Sequence, residues 1–159
     1  MAVIQFLILL GIANGAPIVA RRICGERFAC PVDGGISYRD GHPLFGASKT
    51  WLGVAAAVSA AALAALLMGQ SLAFGALVGA LAMLGDLISS FFKRRLGIEP
   101  SHRALIIDLI PESAIPVLSL GTHLGLGLWE MLAVVALFMA GDLLISPLLL
   151  RLGIRGRSF

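Results

Sequence analysis

Charged residues are scarce in this chain of 159 residues, and their scarcity excludes several classes of protein. Only 13% of the residues are Asp, Glu, Lys or Arg, whereas a soluble domain carries about 25%. A soluble domain of this length would expose too much surface to be covered by so few charges. The same scarcity excludes a disordered chain and a nucleic-acid-binding module, because both depend on many charged side chains.

Apolar residues make up 58% of the chain and are gathered into five stretches. Each stretch is close to the roughly 20 residues that an α-helix needs to cross the hydrocarbon core of a bilayer. Lipid offers the backbone no hydrogen-bonding partner, so such stretches form helices. We therefore predict an all-α polytopic membrane protein with one domain, residues 1–159, and five transmembrane helices. The predicted spans are residues 2–20, 51–68, 72–92, 104–120 and 129–150.

The basic residues predict how these spans are oriented. All 12 Lys and Arg residues fall in the loop 21–50, in the segment 93–103 or in the tail from residue 151. With five spans, these three segments lie on one side, which the positive-inside rule makes cytoplasmic. The N-terminus is then outside and the C-terminus inside. Cys24 and Cys30 fall in the cytoplasmic loop, where a reducing environment makes a disulfide unexpected.

Acidic residues inside the predicted spans are the most informative feature of the sequence. A charge near the bilayer centre costs at least about 2.5–3.5 kcal/mol. With about 1.5 Å per helical residue, the acids lie roughly 7–13 Å inside the cytoplasmic ends, so one cavity can contain them all. The alternative for each is an ion pair or a protonated, hydrogen-bonded group. The four acids are Asp86, Asp108, Glu112 and Asp142.

Basic residues gather at the same predicted membrane surface. Asp86, Ser90 and Lys93 share one face of the third span, which ends in Lys93-Arg94-Arg95. The second helix begins at Lys49-Thr50, where free N–H groups favour anions. Carboxylates beside basic groups suit Mg²⁺ together with a polyphosphate. The alternative is that the basic residues only orient the protein and attract anionic lipid head groups.

Two ordered blocks of sequence resemble a known family. The first comprises residues 31–35 (PVDGG) and 40–53 (DGHPLFGASKTWLG), and the second comprises residues 85–97 (GDLISSFFKRRLG) and 108–111 (DLIP). Together with Asn14 and Pro17 in the first span, these blocks resemble the CDP-archaeol synthase family. Its members are small five-span relatives of the bacterial phosphatidate cytidylyltransferases.

The resemblance implies a reaction and its partners. CTP and an acidic lipid phosphate of the 2,3-di-O-geranylgeranylglyceryl phosphate type would give CDP-archaeol and pyrophosphate, with Mg²⁺ as cofactor. The lipid phosphate is itself the nucleophile, so no Ser, Cys or His nucleophile is required. The enzyme would lie in the cell membrane among membrane lipids, with its active site facing the cytoplasm. The resemblance leaves a homodimer open.

The resemblance and the residue pattern together give a set of expected site residues. We expect Asp86 and Asp108 to hold the metal and, with Lys93, to be catalytic. The expected substrate-binding residues are Asn14, Asp33, Asp40, Lys49, Thr50, Ser90, Arg94 and Arg95.

Three other functions remain open at this point. They are a phosphatidate cytidylyltransferase that acts on ester lipids, a small transporter without enzymatic activity, and a non-catalytic membrane protein that keeps the fold. A transporter needs a route through both leaflets, yet the external halves of the predicted spans have almost no ionisable groups. That asymmetry favours a site on one side of the membrane.

Overall fold

The structure is a computed structural model that describes residues 1–25, 28, 30–98 and 105–151. In this part of the chain the regular elements are five α-helices and a short 3-10 helix at Gly121–Leu124. Extended pairing within it is limited to the isolated bridges Pro31–Thr50 and Ser37–Pro43. The prediction of an all-α fold is therefore confirmed. The helices are α1 (Ala2–Cys24), α2 (Trp51–Leu67), α3 (Leu72–Arg95), α4 (Leu105–Leu120) and α5 (Leu128–Arg151).

Each of the five apolar stretches coincides with a helix, although α1 and α3 continue by three or four residues past the predicted ends. α1 runs on to Cys24 and has Arg21 and Arg22 in its last turn. α3 runs on to Arg95 and includes all three basic residues at its end. Basic side chains at a helix C-terminus interact favourably with the helix dipole and with the last carbonyl groups, so they extend the helix. The predicted 21–50 loop is correspondingly shorter.

Two of the described helices are long and apolar enough to cross a membrane by length and composition. They are α1 and α3, whose mean hydropathy reaches 2.0 and 1.9. α2 is also apolar but has 17 residues. Large apolar side chains are exposed around the bundle, as expected where lipid replaces water as the solvent. Examples are Leu63, Leu67, Leu77, Leu84, Leu118 and Trp129.

Glycines allow the backbone of α3 to approach the neighbouring helices closely. A β-carbon at Gly79 would lie 2.8 Å from the carbonyl oxygen of Ala57 in α2. A β-carbon at Gly85 would overlap the backbone of Pro111 in α4. Small residues at such interfaces increase van der Waals contact, which is a main source of helix association in lipid. α3 is therefore the central helix, and it also contacts α1.

The apolar core fills one end of the bundle and leaves the polar side chains at the other. The rings of Phe6 in α1 and Phe74 in α3 meet edge to face at 6.3 Å. Around them lie buried side chains from the first half of α1 and of α3, from the end of α4 and from the start of α5. This cluster includes Leu9, Leu10, Val78, Val117, Met131 and Val134.

Residues 30–50, here called the 30–50 loop, form an ordered hairpin-like connection between α1 and α2. At its base, Val32 N–H donates to Lys49 O at 2.8 Å and Trp51 N–H donates to Cys30 O at 3.0 Å. At its tip, Tyr38 N–H donates to the carbonyl oxygen of residue 42 at 2.8 Å. The Thr50 hydroxyl then accepts the N–H of residue 53 at 3.1 Å and caps α2. The loop therefore enters α2 with a fixed geometry.

Substitution of Gly79 by alanine tests the close packing of α2 and α3. The new methyl group would lie 2.8 Å from the Ala57 carbonyl oxygen, so we expect Gly79→Ala to destabilise the protein by about 1–3 kcal/mol. Gly11→Ala is the matched control because, outside its own turns of helix, no atom of the described residues lies within 4 Å of its β-carbon position; we expect it to be neutral or stabilising by up to about 1 kcal/mol. Thermal unfolding in detergent measures both effects. Equal melting temperatures for the two variants would contradict the packing argument.

Candidate active site

A cavity of about 210 Å³ lies among α1, α2, α3 and α4, beside the point where the 30–50 loop enters α2. Polar side chains line it, although the surrounding helices are largely apolar. Two of them are acidic, two are basic, and the others are an amide and two hydroxyl groups. They are Asp86, Glu112, Arg21, Lys49, Asn14, Ser48 and Thr50.

An ion pair between Lys49 and Asp86 lies in this cavity. The Nζ atom of Lys49 is 2.5 Å from Oδ1 and 2.6 Å from Oδ2 of Asp86. Both side chains are only 22% exposed. Removing two charges from water is costly, and short contacts of opposite charge are what offset the cost. The pair therefore joins the end of the loop to the middle of α3.

A second Lys–Asp pair lies two helical turns further along α3. The Nζ atom of Lys93 is 2.8 Å from Oδ1 and 2.9 Å from Oδ2 of Asp108 in α4. Among the described residues, no group of three or more His, Cys, Asp or Glu side chains has the arrangement of a metal site. Each of the two expected metal ligands is thus paired with a lysine, and their assignment to a metal stays a prediction.

The side-chain amide of Asn14 lines the cavity without compensation. Its Oδ1 and Nδ2 atoms are buried, and within the described part of the chain neither has a hydrogen-bonding partner. Leaving a buried amide unpaired costs free energy that a bound ligand would recover. Mg²⁺ is a hard cation that binds oxygen atoms, usually those of one or two carboxylates together with phosphates and water. The oxygen atoms of Asn14, Asp86 and Glu112 around one cavity therefore fit a hard divalent cation.

Asp33 lies outside the cavity lining and is engaged within the loop. Its Oδ1 accepts the N–H of Gly35 at 3.0 Å, and its Oδ2 accepts the N–H groups of Phe45 and Gly46 at 2.9 Å each. Burial alone raises the pKa of Asp33, but these N–H groups outweigh burial and hold the pKa below its usual 3.8. The stabilisation is therefore complete at neutral pH and is lost as the pH falls below 3.8 through the lowered pKa.

Arg95 holds the tip of the 30–50 loop against the end of α3. Its Nε is 3.0 Å from Oδ2 of Asp40. Its guanidinium group also donates to the carbonyl oxygens of Pro43 at 2.7 Å and His42 at 3.2 Å. The same group lies 4.8 and 4.9 Å from the centroids of two aromatic rings, an arrangement that adds cation–π attraction. These rings belong to Tyr38 and Phe91.

Arg94 makes a separate contact between α3 and the loop. It is 8% exposed and donates to the carbonyl oxygen of Ile98 at 3.2 Å. Its guanidinium group also lies against Gly46. Arg94, Arg95 and Asp40 thus share the surface between the loop and α3.

The expected site residues fall into three groups in the structure. Asn14, Lys49, Thr50 and Asp86 line the cavity. Lys93 and Asp108 form the second ion pair, and Ser90 is buried nearby in α3. The remaining four belong to the 30–50 loop or to its contact with α3. They are Asp33, Asp40, Arg94 and Arg95.

Arg21 and Glu112 also line the cavity. Glu112 is one of the four acids that the sequence placed within reach of one cavity, without a defined role, whereas Arg21 was expected only to orient the protein in the membrane. The spacing of the sequence could have predicted the place of Arg21. It follows Asn14 by seven residues and therefore lies on the same face of α1. Glu112 follows Asp108 by four residues, which likewise places the two acids on one face of α4.

Comparison with known proteins identifies the family. Residues 65–157 match the family model described as CarS-like, CDP-archaeol synthase. The chain is 36% identical over 102 residues to the CDP-archaeol synthase of Hyperthermus butylicus, covering 60% of this chain and 58% of the relative. It is 41% identical over 103 residues to that of Aeropyrum pernix, covering 61% and 56%. The chain thus spans somewhat more than half the length of these curated relatives.

A solved structure has the same fold over nearly the whole chain. It is that of an intramembrane enzyme for archaeal membrane lipids biosynthesis, with a TM-score of 0.72 and 30% sequence identity. The alignment covers 90% of this chain and 91% of that chain. Since the family model matches more than half of the sequence, this chain belongs to the CDP-archaeol synthase family.

Proposed function

We propose that the protein is a cytidylyltransferase that forms CDP-archaeol from CTP and a geranylgeranylglyceryl phosphate lipid and releases pyrophosphate. The observation that carries the proposal is the polar cavity with its Lys49–Asp86 pair at one end of an apolar bundle. Charged groups at that position suit phosphates, while the exposed apolar faces suit the lipid tails. Family membership supports the same reaction.

The chemistry requires positioning and charge more than it requires a reactive side chain. An oxygen of the lipid phosphate attacks the α-phosphorus of CTP, and the bond from that phosphorus to the departing pyrophosphate breaks. The attacking group is already an anion, so no protein base has to remove a proton. Lys49, Arg21 and the N-terminus of α2 surround the cavity and stabilise phosphate charge. The cavity walls hold the reacting groups in line.

We include Mg²⁺ in the proposal, with Asp86, Glu112 and Asn14 as the residues that would hold it in the cavity. Asp108, the other metal ligand expected from the sequence, lies outside the cavity lining in its pair with Lys93. Bound Mg²⁺ would neutralise the phosphate oxygens and the departing pyrophosphate. Lys49 and Asp86 form an ion pair in the cavity. Once Asp86 has another counter-charge, the ammonium group of Lys49 is available to phosphate.

We also propose that all five helices span the cytoplasmic membrane, with the N-terminus outside and the cavity facing the cytoplasm. The end of the bundle that contains the cavity also contains the basic ends of α1 and α3. Basic residues of membrane proteins concentrate on the cytoplasmic side. A homodimer, which the sequence left open, is not part of the proposal.

A lipid panel tests the reaction and its substrate class. We expect the purified protein to release pyrophosphate from CTP only when both Mg²⁺ and an acidic lipid phosphate are present. The ether-linked geranylgeranyl lipid should be used faster than ester-linked phosphatidate. Faster turnover of the ester lipid would favour the phosphatidate cytidylyltransferase. Absence of release with every lipid would rule out the proposed reaction and favour a transporter or a non-catalytic protein.

The variant Asp86→Asn tests the role of the cavity carboxylate. We expect turnover to fall by at least about 100-fold, because the amide has lost the charge that binds a cation. Thermal unfolding should confirm that the variant is folded. Glu130→Gln is the matched control, since Glu130 caps the start of α5 and does not line the cavity. Near-normal turnover of folded Asp86→Asn would show that the metal assignment is wrong.

Cysteine labelling tests the proposed orientation. Cys24 and Cys30 are both exposed thiols near the end of the bundle that contains the cavity. We expect a membrane-impermeant maleimide to label them in inside-out vesicles and to leave them unmodified in right-side-out vesicles. Labelling in right-side-out vesicles would reverse the orientation. A mass increase on the peptides that contain the two cysteines provides the measurement.

A further inference from the structure

We infer that Asp33 is a positioning residue that places Lys49 in the cavity and does not itself contact the substrate. Its role in catalysis rests on the function proposed above, whereas the placement of Lys49 can be tested without any activity. The inference replaces our sequence-based expectation that Asp33 binds the substrate. It follows from three successive contacts that lead from the carboxylate of Asp33 to the side chain of Lys49.

The first contact joins the two halves of the 30–50 loop. The carboxylate of Asp33 receives the N–H of Gly35 on one oxygen and the N–H groups of Phe45 and Gly46 on the other, at 2.9–3.0 Å. Asp33 is 6% exposed. A substrate phosphate would be repelled by this carboxylate, and a metal ion would have to replace three good hydrogen bonds. The carboxylate of Asp33 therefore stabilises the backbone conformation of the loop.

The second contact fixes the backbone of Lys49 from two sides. Lys49 N–H donates to the carbonyl oxygen of Gly46 at 3.1 Å, and Gly46 is itself bound by Asp33. On the other side, Val32 N–H donates to the carbonyl oxygen of Lys49 at 2.8 Å. Val32 is the residue immediately before Asp33. The N–H group of Lys49 is thus bonded to Gly46, which Asp33 binds, and its carbonyl group is bonded to Val32, which precedes Asp33.

The third contact fixes the loop relative to α3. Gly46 has φ +95°, a left-handed conformation that favours glycine. The Nε of Arg94 in α3 is 3.2 Å from the position that a β-carbon of Gly46 would occupy. The loop therefore sits against the helix that also contains Asp86. From this position the side chain of Lys49 reaches Asp86 at 2.5 Å.

The need for such positioning follows from the nature of lysine. Its ammonium group lies at the end of a flexible four-carbon stem, so its location depends on how firmly its backbone is held. A displacement of about 1 Å can lower an enzymatic rate by about 100-fold. Without Asp33, the N–H groups of Phe45 and Gly46 lose their acceptor, and the segment that ends at Lys49 loses its attachment to the rest of the loop.

Amine labelling tests the inference because the chain contains only two lysines, Lys49 and Lys93. Each is paired with an aspartate, so Lys93 serves as an internal control. The protein in detergent is treated briefly with an amine-reactive ester, and mass spectrometry measures the labelling rate of each lysine. The variants are Asp33→Ala, which removes both acceptor oxygens, and Asp33→Asn, which keeps one. Glu130→Gln changes a carboxylate that accepts a backbone N–H elsewhere in the chain, at 2.8 Å.

We expect the labelling rate of Lys49 to rise several-fold in Asp33→Ala and by a smaller factor in Asp33→Asn. Lys93 should keep its rate in both variants, and Glu130→Gln should change neither lysine. In the activity assay, Asp33→Asn should lower kcat more than it raises the KM for CTP. The same substitution in a Lys49→Gln background should cause little further loss of activity. Asp33 acts through Lys49, and that background lacks the lysine.

Two outcomes would overturn the inference. If Lys49 keeps its labelling rate in the Asp33 variants, the loop does not depend on Asp33. If both lysines become more reactive to the same degree, Asp33 stabilises the fold in general and does not position Lys49. If Asp33→Ala does not fold, the labelling rates of the two lysines in Asp33→Asn and in Glu130→Gln are compared instead, and they distinguish the same outcomes. Failure of the unaltered protein to turn over CTP would contradict the proposed function alone and would leave the labelling result valid.

Discussion

The attraction between Lys49 and Asp86 is the interaction on which the candidate site depends. A carboxylate within an apolar helix is costly unless an opposite charge reaches it, and here that charge comes from the 30–50 loop, outside the helix bundle. The pair therefore links the 30–50 loop to α3, as the contacts of Arg94 and Arg95 also do. It also provides one group suited to cations and one suited to phosphates at the same place. Structural and chemical requirements are met by the same two side chains.

The central position of α3 explains why the other elements converge on this pair. In its first half, Gly79 brings its backbone against α2, and near its middle Gly85 does the same for α4. Its second half bears Asp86 and Lys93, which pair with the loop and with α4. Its last turn bears Arg94 and Arg95, which hold the loop. One helix therefore provides close packing at one end and charged contacts at the other.

The sequence was a good guide to the helices because crossing a bilayer demands length and hydrophobicity, and both can be read locally. It was a weaker guide to the contacts that individual charged residues make. Arg95 and Asp33 were expected to bind the substrate, and that assignment stays a prediction. In the structure the guanidinium group of Arg95 lies against two rings and Asp40, and backbone N–H groups surround the carboxylate of Asp33. In both cases the residue type indicated a strong polar contact, but the partner was determined by the loop's conformation.

The sequence by itself determined that the chain folds as apolar helices, that its basic residues gather at one end and that Asp86 needs a compensating charge. These properties depend on composition and on spacing along a helix. The tertiary structure alone decided that Lys49 supplies this charge, that Arg21 joins the cavity, and that Asp33 and Arg95 hold the loop. These outcomes depend on contacts between residues far apart in the chain. Local spacing contains no information about which distant group a charged side chain will meet.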